Sequence, residues 1–491
     1  MKISLRFNAI LRILLTACNI VIPIIIGPYI IKTLSKTSYD TYTKANVEVG
    51  LFLMLAGVSI FTYGVRSISK IRENKEEVKK TFTEIFIYSF VLTSLFSILY
   101  LLYITFINNH SGETIYYILM LQFIGSFVSV EWMNEAFEDY KFITIKSLIV
   151  KVLYVSSIFT FIKSDNLISY TYIISFTFIL DNLISFIYIY RKHSLSFKGL
   201  NLKKHLKPII LIFLISNISL MYMQADKLML GLMLSDNAVT TYTIPSYIVV
   251  SIYNVILSIF VVAIPRLNDY YHNKSKDDFR KLYNEILRTF LIIFIPLIVF
   301  VFVLSDDIII LYTSSKYLES IIPLKYFSIV ILLNATVYLQ REGILYVFEM
   351  EKKIIKYNLI GGIINIGLNI VLYFLGLFNP ITCIITLGFS FLFLNIIMRI
   401  FVLREIDNRI VLFDTQISKY IVLSIIVVLI DYFISLFIFN LLIKLIVCFV
   451  LFIIIYLLGL IITKDSIFRL NWKICLAEVR KMKDRLFKRR V

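Results

Sequence analysis

The chain has 491 residues, of which 59% are hydrophobic and 17% charged, against roughly a quarter charged in soluble domains. That balance, with many long apolar runs, excludes an ordinary soluble protein and predicts a polytopic membrane protein. Lys and Arg number 50 against 32 Asp and Glu; beside so many apolar runs this excess reads as loop charge at a membrane surface and implies no nucleic-acid partner.

In chain order, fourteen runs approach the roughly 20 residues needed to cross a bilayer. They lie near 8–31, 46–65, 84–107, 114–133, 143–163, 168–190, 208–233, 242–264, 286–304, 322–343, 354–375, 381–403, 417–439 and 443–463. Their length and uniform apolarity predict helices and exclude barrel strands. The first run follows Lys2 and Arg6 and shows no small-residue cleavage site, so it reads as a retained span.

Placing the N-terminus in the cytoplasm leaves few cations outside: Lys32, Lys36, Lys44, Lys163, Lys316 and Lys444 in the outer loops. The cytoplasmic loops carry dense basic stretches, including 66–80, 191–207 and 266–288, which predicts an N-in, C-in chain. The tail after 463 is basic, and its apolar residues are spaced as on an amphipathic helix facing anionic lipid. The outer loops are short, the longest near 305–321. That leaves no room for an extracellular catalytic domain and argues against a membrane-embedded polymerase or glycosyltransferase.

The four cysteines (Cys18, Cys383, Cys448, Cys475) are scattered and form neither a disulfide framework nor a metal spacing. His110, His193, His205 and His272 fall in predicted loops, away from other metal-ligand clusters. No HExxH, phosphate loop or nucleophile elbow is present. The chain therefore reads as neither an enzyme nor a cofactor protein.

The spans divide as six, six and two. This gives a first bundle over 1–200, a second over 201–404, an extra helix pair over 405–463 and a basic tail over 464–491. Both sixes start on the cytoplasmic side, the parallel arrangement that places a substrate path between halves. Short similarities sit at matching places. "TYGVRS" and "AIPRLN" end the second span of each half with Arg66 and Arg266, and "VEWMNEAFEDYK" and "QREGILYVFEMEKK" end the fourth. Aligning Glu131 with Glu342 brings Phe137, Glu138 and Lys141 onto Phe348, Glu349 and Lys352.

Several stretches carry a family likeness. "IIIGPYIIKTLSKTSYDTYTKANVEVGLFLMLAGVSIFTYGVRSISKIRENKEE" resembles the first two spans of bacterial oligosaccharide flippases, with Pro28-Tyr29 closing the first and Gly64-Val65-Arg66 closing the second. "VEWMNEAFEDYKFITIKS", "ADKLMLGLMLSDNAVTTYTIPSYIV", "AIPRLNDY" and "GGIINIGLNIVLYFLG" resemble later spans in the correct order. Ala136 stands where that pattern usually has glycine, and "SYDTY" replaces its tyrosine-glycine turn. The resemblance implies two six-helix bundles in a V, as in multidrug-and-toxin-extrusion proteins. It implies a protein of the bacterial cytoplasmic membrane whose substrate is an oligosaccharide on undecaprenyl pyrophosphate, moved to the outer leaflet for capsule, exopolysaccharide or O-antigen. Membrane lipid and other polysaccharide-assembly proteins are the implied partners. A sodium- or proton-coupled small-molecule exporter on the same fold is the alternative.

A pyrophosphate and its sugars cannot cross hydrocarbon unaided, so a flippase needs a polar, preferably cationic, path. A charge at a helix centre costs about 2.5–3.5 kcal/mol on insertion scales and usually faces a cavity or a partner. The candidate path residues are Arg12, Asn19, Glu48, Arg66, Glu131, Asp226, Arg266 and Arg341. Asp181 and Asp431, in mid-span, are candidates for proton coupling or for interhelical hydrogen bonds. In "YMQADKLMLG", Asp226 and Lys227 point about 100° apart and do not pair. Lys227 can snorkel outward, while Asp226 is expected to face the path or another helix.

Overall fold

A computed structural model describes residues 5–107, 113–407, 409–410 and 415–472, with the side chains of 5–17, 20, 58, 214–222, 259, 262 and 415–416 outside the description. The tail beyond Trp472, with Cys475, lies outside the described residues, as do His110 and the side chain of Arg12. The helices are α1 (Leu5–Thr33), α2 (Lys36–Ile71), α3 (Lys75–Phe106), α4 (Thr114–Met120), α5 (Gln122–Phe127), α6 (Glu131–Ala136), α7 (Tyr140–Phe161), α8 (Leu167–Lys192) and α9 (Lys203–Met233). They continue as α10 (Asp236–Asn273), α11 (Lys276–Val303), α12 (Ser305–Thr313), α13 (Ile321–Gln340), α14 (Glu351–Phe374), α15 (Pro380–Phe401), α16 (Thr415–Ser435) and α17 (Leu441–Ile462). One-turn π segments follow α13 and α15, at Arg341–Leu345 and Val402–Ile406.

Among the described residues, eleven helical segments are long and apolar enough to cross a membrane. They account for eleven of the fourteen expected spans. The first and seventh expected spans fall on α1 and α9. The fourth, expected as one helix over 114–133, is instead broken into α4, α5 and α6. No proline marks the break. At the break the Ile118 carbonyl accepts from Leu121 N at 3.1 Å and, across to α8, from Ser175 Oγ at 3.1 Å. Gly125 lets α5 approach α8 so closely that a Cβ would lie 3.0 Å from Ile179 Cα.

Short polar caps start several helices. Ser35, Asn74, Asn166, Ser275 and Asn440 each accept from the backbone amide three residues on. At 36 residues, α2 is about 54 Å long, well beyond the hydrocarbon layer. Large apolar side chains such as Phe106, Phe374 and Phe437 are about four-fifths exposed, as lipid-facing helices require.

The chain forms two compact units, Met1–Thr243 with Ile366–Pro380, and Ile244–Asn365 with Ile381–Val491. In the first, α2 packs along α3 and α9, α1 along α7, and α8 against α5 and α7. Its largest buried side chain, Trp132, sits with Phe82, Ile85 and Met133. Gly64 on α2 makes room for the indole, since a Cβ there would lie 2.5 Å from Trp132 Cε3. The 193–202 loop is tied down at Glu84, which accepts from Asn201 N at 2.6 Å and pairs with His205 Nε2 at 2.7 Å. Tyr63 Oη reaches His205 Nδ1 at 2.6 Å. His205, expected in a loop, therefore stands in the first turn of α9, and His272 stands in the last turn of α10.

In the second unit, α11 packs against α13 and α16, and α16 against α17. Tyr456 on α17 donates to the Ile292 carbonyl of α11 at 2.9 Å. Asp465, after α17, is ion-paired with Lys419 on α16.

Candidate functional site

The first unit holds a cavity of about 600 Å³, lined by polar groups from four helices and a broken one. Asn19 comes from α1, Tyr42 from α2, Glu131 and Glu135 from α6, Lys146, Lys151 and Tyr154 from α7, and Asp181 from α8. The interruption before α6 is what places Glu131 here. The chain turns at 128–130, and Glu131 then stands in the first turn of a short helix.

Lys146 is the buried centre of the site. Its Nζ donates to Asp181 Oδ2 at 2.8 Å, Ser185 Oγ at 3.0 Å and Glu131 Oε2 at 3.1 Å. Three ammonium protons thus meet three oxygens. Asn134 Nδ2 adds a 3.1 Å bond to Glu131, and Ser185 Oγ donates to the same carboxylate. The Lys146 side chain is 2% exposed, while Glu131 and Asp181 are 23% and 36% exposed. The lysine is therefore sealed in, and the two carboxylates keep an edge toward the cavity. Glu135 accepts from Tyr140 Oη at 3.0 Å. Hydroxyls, carboxylates, ammonium groups and tyrosine rings together suit a polyhydroxylated guest, which needs donors, acceptors and apolar ring faces at once.

Of the expected residues, Asn19, Glu131 and Asp181 meet at this cavity. Glu48 is 1% exposed and stands one helical turn from Lys44 on α2. Arg66 is exposed near the end of α2. Asp226 is fully buried and accepts from Tyr242 Oη and Asn369 Nδ2, both at 2.8 Å, joining α9 to α10 and α14. In the second unit, Arg266 is exposed with its guanidinium 5.6 Å from the centre of the Tyr270 ring. Arg341 pairs with the adjacent Glu342 at 2.9 Å and lies 5.3 Å from the Tyr338 ring. Asp431 pairs with Lys444 at 2.9 Å, linking α16 to α17, and Lys444 also pairs with Asp307 on α12.

Lys146 and Lys151 are absent from the sequence-derived candidates. The available signal was two lysines five residues apart inside an expected span, where each must find a partner or a cavity.

The sequence profile of the family described as "Polysaccharide biosynthesis protein" matches residues 5–271, more than half of the chain. The chain belongs to the polysaccharide biosynthesis protein family. A protein of Escherichia coli (strain K12) named "Putative O-antigen transporter" is 22% identical to this family member over 170 residues, 33% of this chain and 40% of that protein. The chain thus matches less than half of that relative's length. Among solved structures, "Lipid II flippase MurJ, inward closed conformation" superposes with a TM-score of 0.73 at 16% identity, covering 94% of this chain and 99% of that one. A MATE crystal structure in complex with MaL6 gives a TM-score of 0.57 at 13% identity, covering 84% and 96%. These likenesses show a shared fold. With its many apolar helices, this member of the family is a multi-pass bacterial membrane protein.

Proposed function

We propose that this protein moves oligosaccharide repeat units linked to undecaprenyl pyrophosphate from the inner to the outer leaflet of the cytoplasmic membrane. The product would feed capsule, exopolysaccharide or O-antigen synthesis. The observation that carries the reading is the charged and tyrosine-bearing cavity around Lys146, set within otherwise apolar helices. Family membership and the fold shared with a lipid II flippase support it. The headgroup would travel a polar path by alternating access while the polyprenyl chain stays in lipid. No enzymatic step is assigned. The arrangement as fourteen spans, six, six and two, with both termini inside, belongs to the same proposal, as do the path roles of Arg12, Glu48, Arg66, Asp226, Arg266 and Arg341.

The test is genetic. Deleting the gene should abolish surface polysaccharide and accumulate lipid-linked repeat units inside. The wild-type gene should restore both, and Arg12→Ala or Lys151→Met should not. Normal polysaccharide combined with new sensitivity to cationic drugs would overturn the proposal in favour of a small-molecule exporter, the reading that the multidrug relatives of this fold suggest.

A further inference from the structure

Away from the cavity, a second polar layer forms where α9 ends and α10 begins against α2. Lys44 Nζ lies 3.2 Å from Asp236 Oδ1, with side chains 5% and 18% exposed. One turn earlier on α2, Asp40 accepts from Asn237 Nδ2 at 3.3 Å. Gly231 on α9 makes this approach feasible. A Cβ there would lie 3.4 Å from Lys44 Cε and 3.1 Å from Val239 Cγ2. Behind the layer, Asp226 braces α10 through Tyr242 and α14 through Asn369. A second set of side-chain hydrogen bonds thus backs the layer, and Glu48 is shut away one turn beyond Lys44.

On the six-plus-six reading, α2 belongs to the first bundle, and α9, α10 and α14 belong to the second. These contacts therefore tie one bundle to the other, at the end where the sequence places Lys32, Lys36 and Lys44 in outer loops. A polar closure suits a part that must open repeatedly. Separated ions regain water as they part, whereas parted apolar packing meets water at a cost.

We infer that the Lys44–Asp236 ion pair, with Asp40–Asn237 beside it, is a latch that shuts the outer end of the transport path and parts to release the headgroup outward. This rests on the transport reading above, and its first test does not depend on that reading. The native cysteines are replaced by serine and Glu48→Cys is introduced. Labelling by a membrane-impermeant maleimide is then timed in right-side-out vesicles. With the latch intact, labelling should be slow. Asp236→Asn should speed it roughly tenfold, the factor that corresponds to about 1.4 kcal/mol. The exchanged pair Lys44→Asp with Asp236→Lys should slow it again. An unchanged rate in Asp236→Asn overturns the latch.

A second measurement covers variants that fail to fold. Lys44→Cys with Asp236→Cys is oxidised to a disulfide in proteoliposomes. Transport should stop and return on reduction. Continued transport with the disulfide formed overturns the latch and leaves the transport reading standing. Absence of transport by the unmodified protein overturns that reading, and the labelling rates then decide the latch.

Discussion

Lys146 on α7 lies 2.8 Å from Asp181 on α8, and the lysine is the buried partner of the pair. The same ammonium reaches Glu131 at 3.1 Å. One cation therefore bridges two carboxylates that would otherwise repel each other at the edge of the cavity.

Removing that cation should destabilise the first unit. Breaking a fully buried ion pair costs about 3–5 kcal/mol, and the partial exposure of both carboxylates reduces this to roughly 1–3 kcal/mol for Lys146→Met. Thermal melting of the purified protein in detergent measures it. Adding Glu131→Gln and Asp181→Asn should recover most of the loss, because the orphaned charges are then gone. A triple variant no more stable than Lys146→Met would show that the lysine acts through packing instead.

Two turns that the sequence alignment matches share one backbone geometry. Glu138 and Glu349 both adopt a left-handed conformation, with φ of 55° and 56°. Before Glu138, amides of 137, 138 and 139 bond to carbonyls of 133, 135 and 134; before Glu349, amides of 348, 349 and 350 bond to 344, 346 and 345. This is the helix-ending pattern in which glycine is usual, because a Cβ is strained there. Glu349→Gly should therefore stabilise the protein by about 0.5–1 kcal/mol, and Glu349→Val should destabilise it. Glu138 also pairs with Arg72 at 3.1 Å, so Glu138→Gly should gain less. Melting temperatures of the three variants check the order.

A pH dependence follows from His193, which caps α8 and stacks on Phe137 with ring centres 4.7 Å apart. Burial, then the nearby Lys192, Lys79 and Lys75, hold its pKa below the ordinary 6.5. The unfolded chain therefore takes up a proton first as pH falls. Stability from this group is complete above about pH 6.5 and declines as pH drops below it. The melting temperature should fall between pH 7 and pH 5.5, and His193→Phe should flatten part of that slope. A slope unchanged by the substitution would exclude His193 as a source.

The helices were legible because span length and apolarity are written in consecutive residues, and eleven expected spans coincide with apolar helices. The break between α4 and α6 was not legible. Its residues carry no proline, and the bond reaching it from α8 comes from Ser175, more than forty positions away. Asn19, Glu131 and Asp181 could be named from their polarity within apolar runs. Their convergence on Lys146 could not, since it depends on how α6, α7 and α8 pack. The pairing of Lys44 with Asp236 joins residues 192 positions apart (236 minus 44) and leaves no local pattern. Asp226 shows the same limit. Its charge marked it as notable, and only packing shows that it binds Tyr242 and Asn369.

The most direct measurement reconstitutes the purified protein in liposomes containing undecaprenyl-pyrophosphate-linked repeat units drawn from the organism's own membranes. Appearance of the sugar at the opposite leaflet is followed with an impermeant glycosidase. The account predicts exchange much faster than in empty liposomes, and slow exchange when Lys151→Met or Tyr154→Ala alters the cavity. Exchange no faster than in empty liposomes, by protein that is folded and expels a cationic dye, would contradict it.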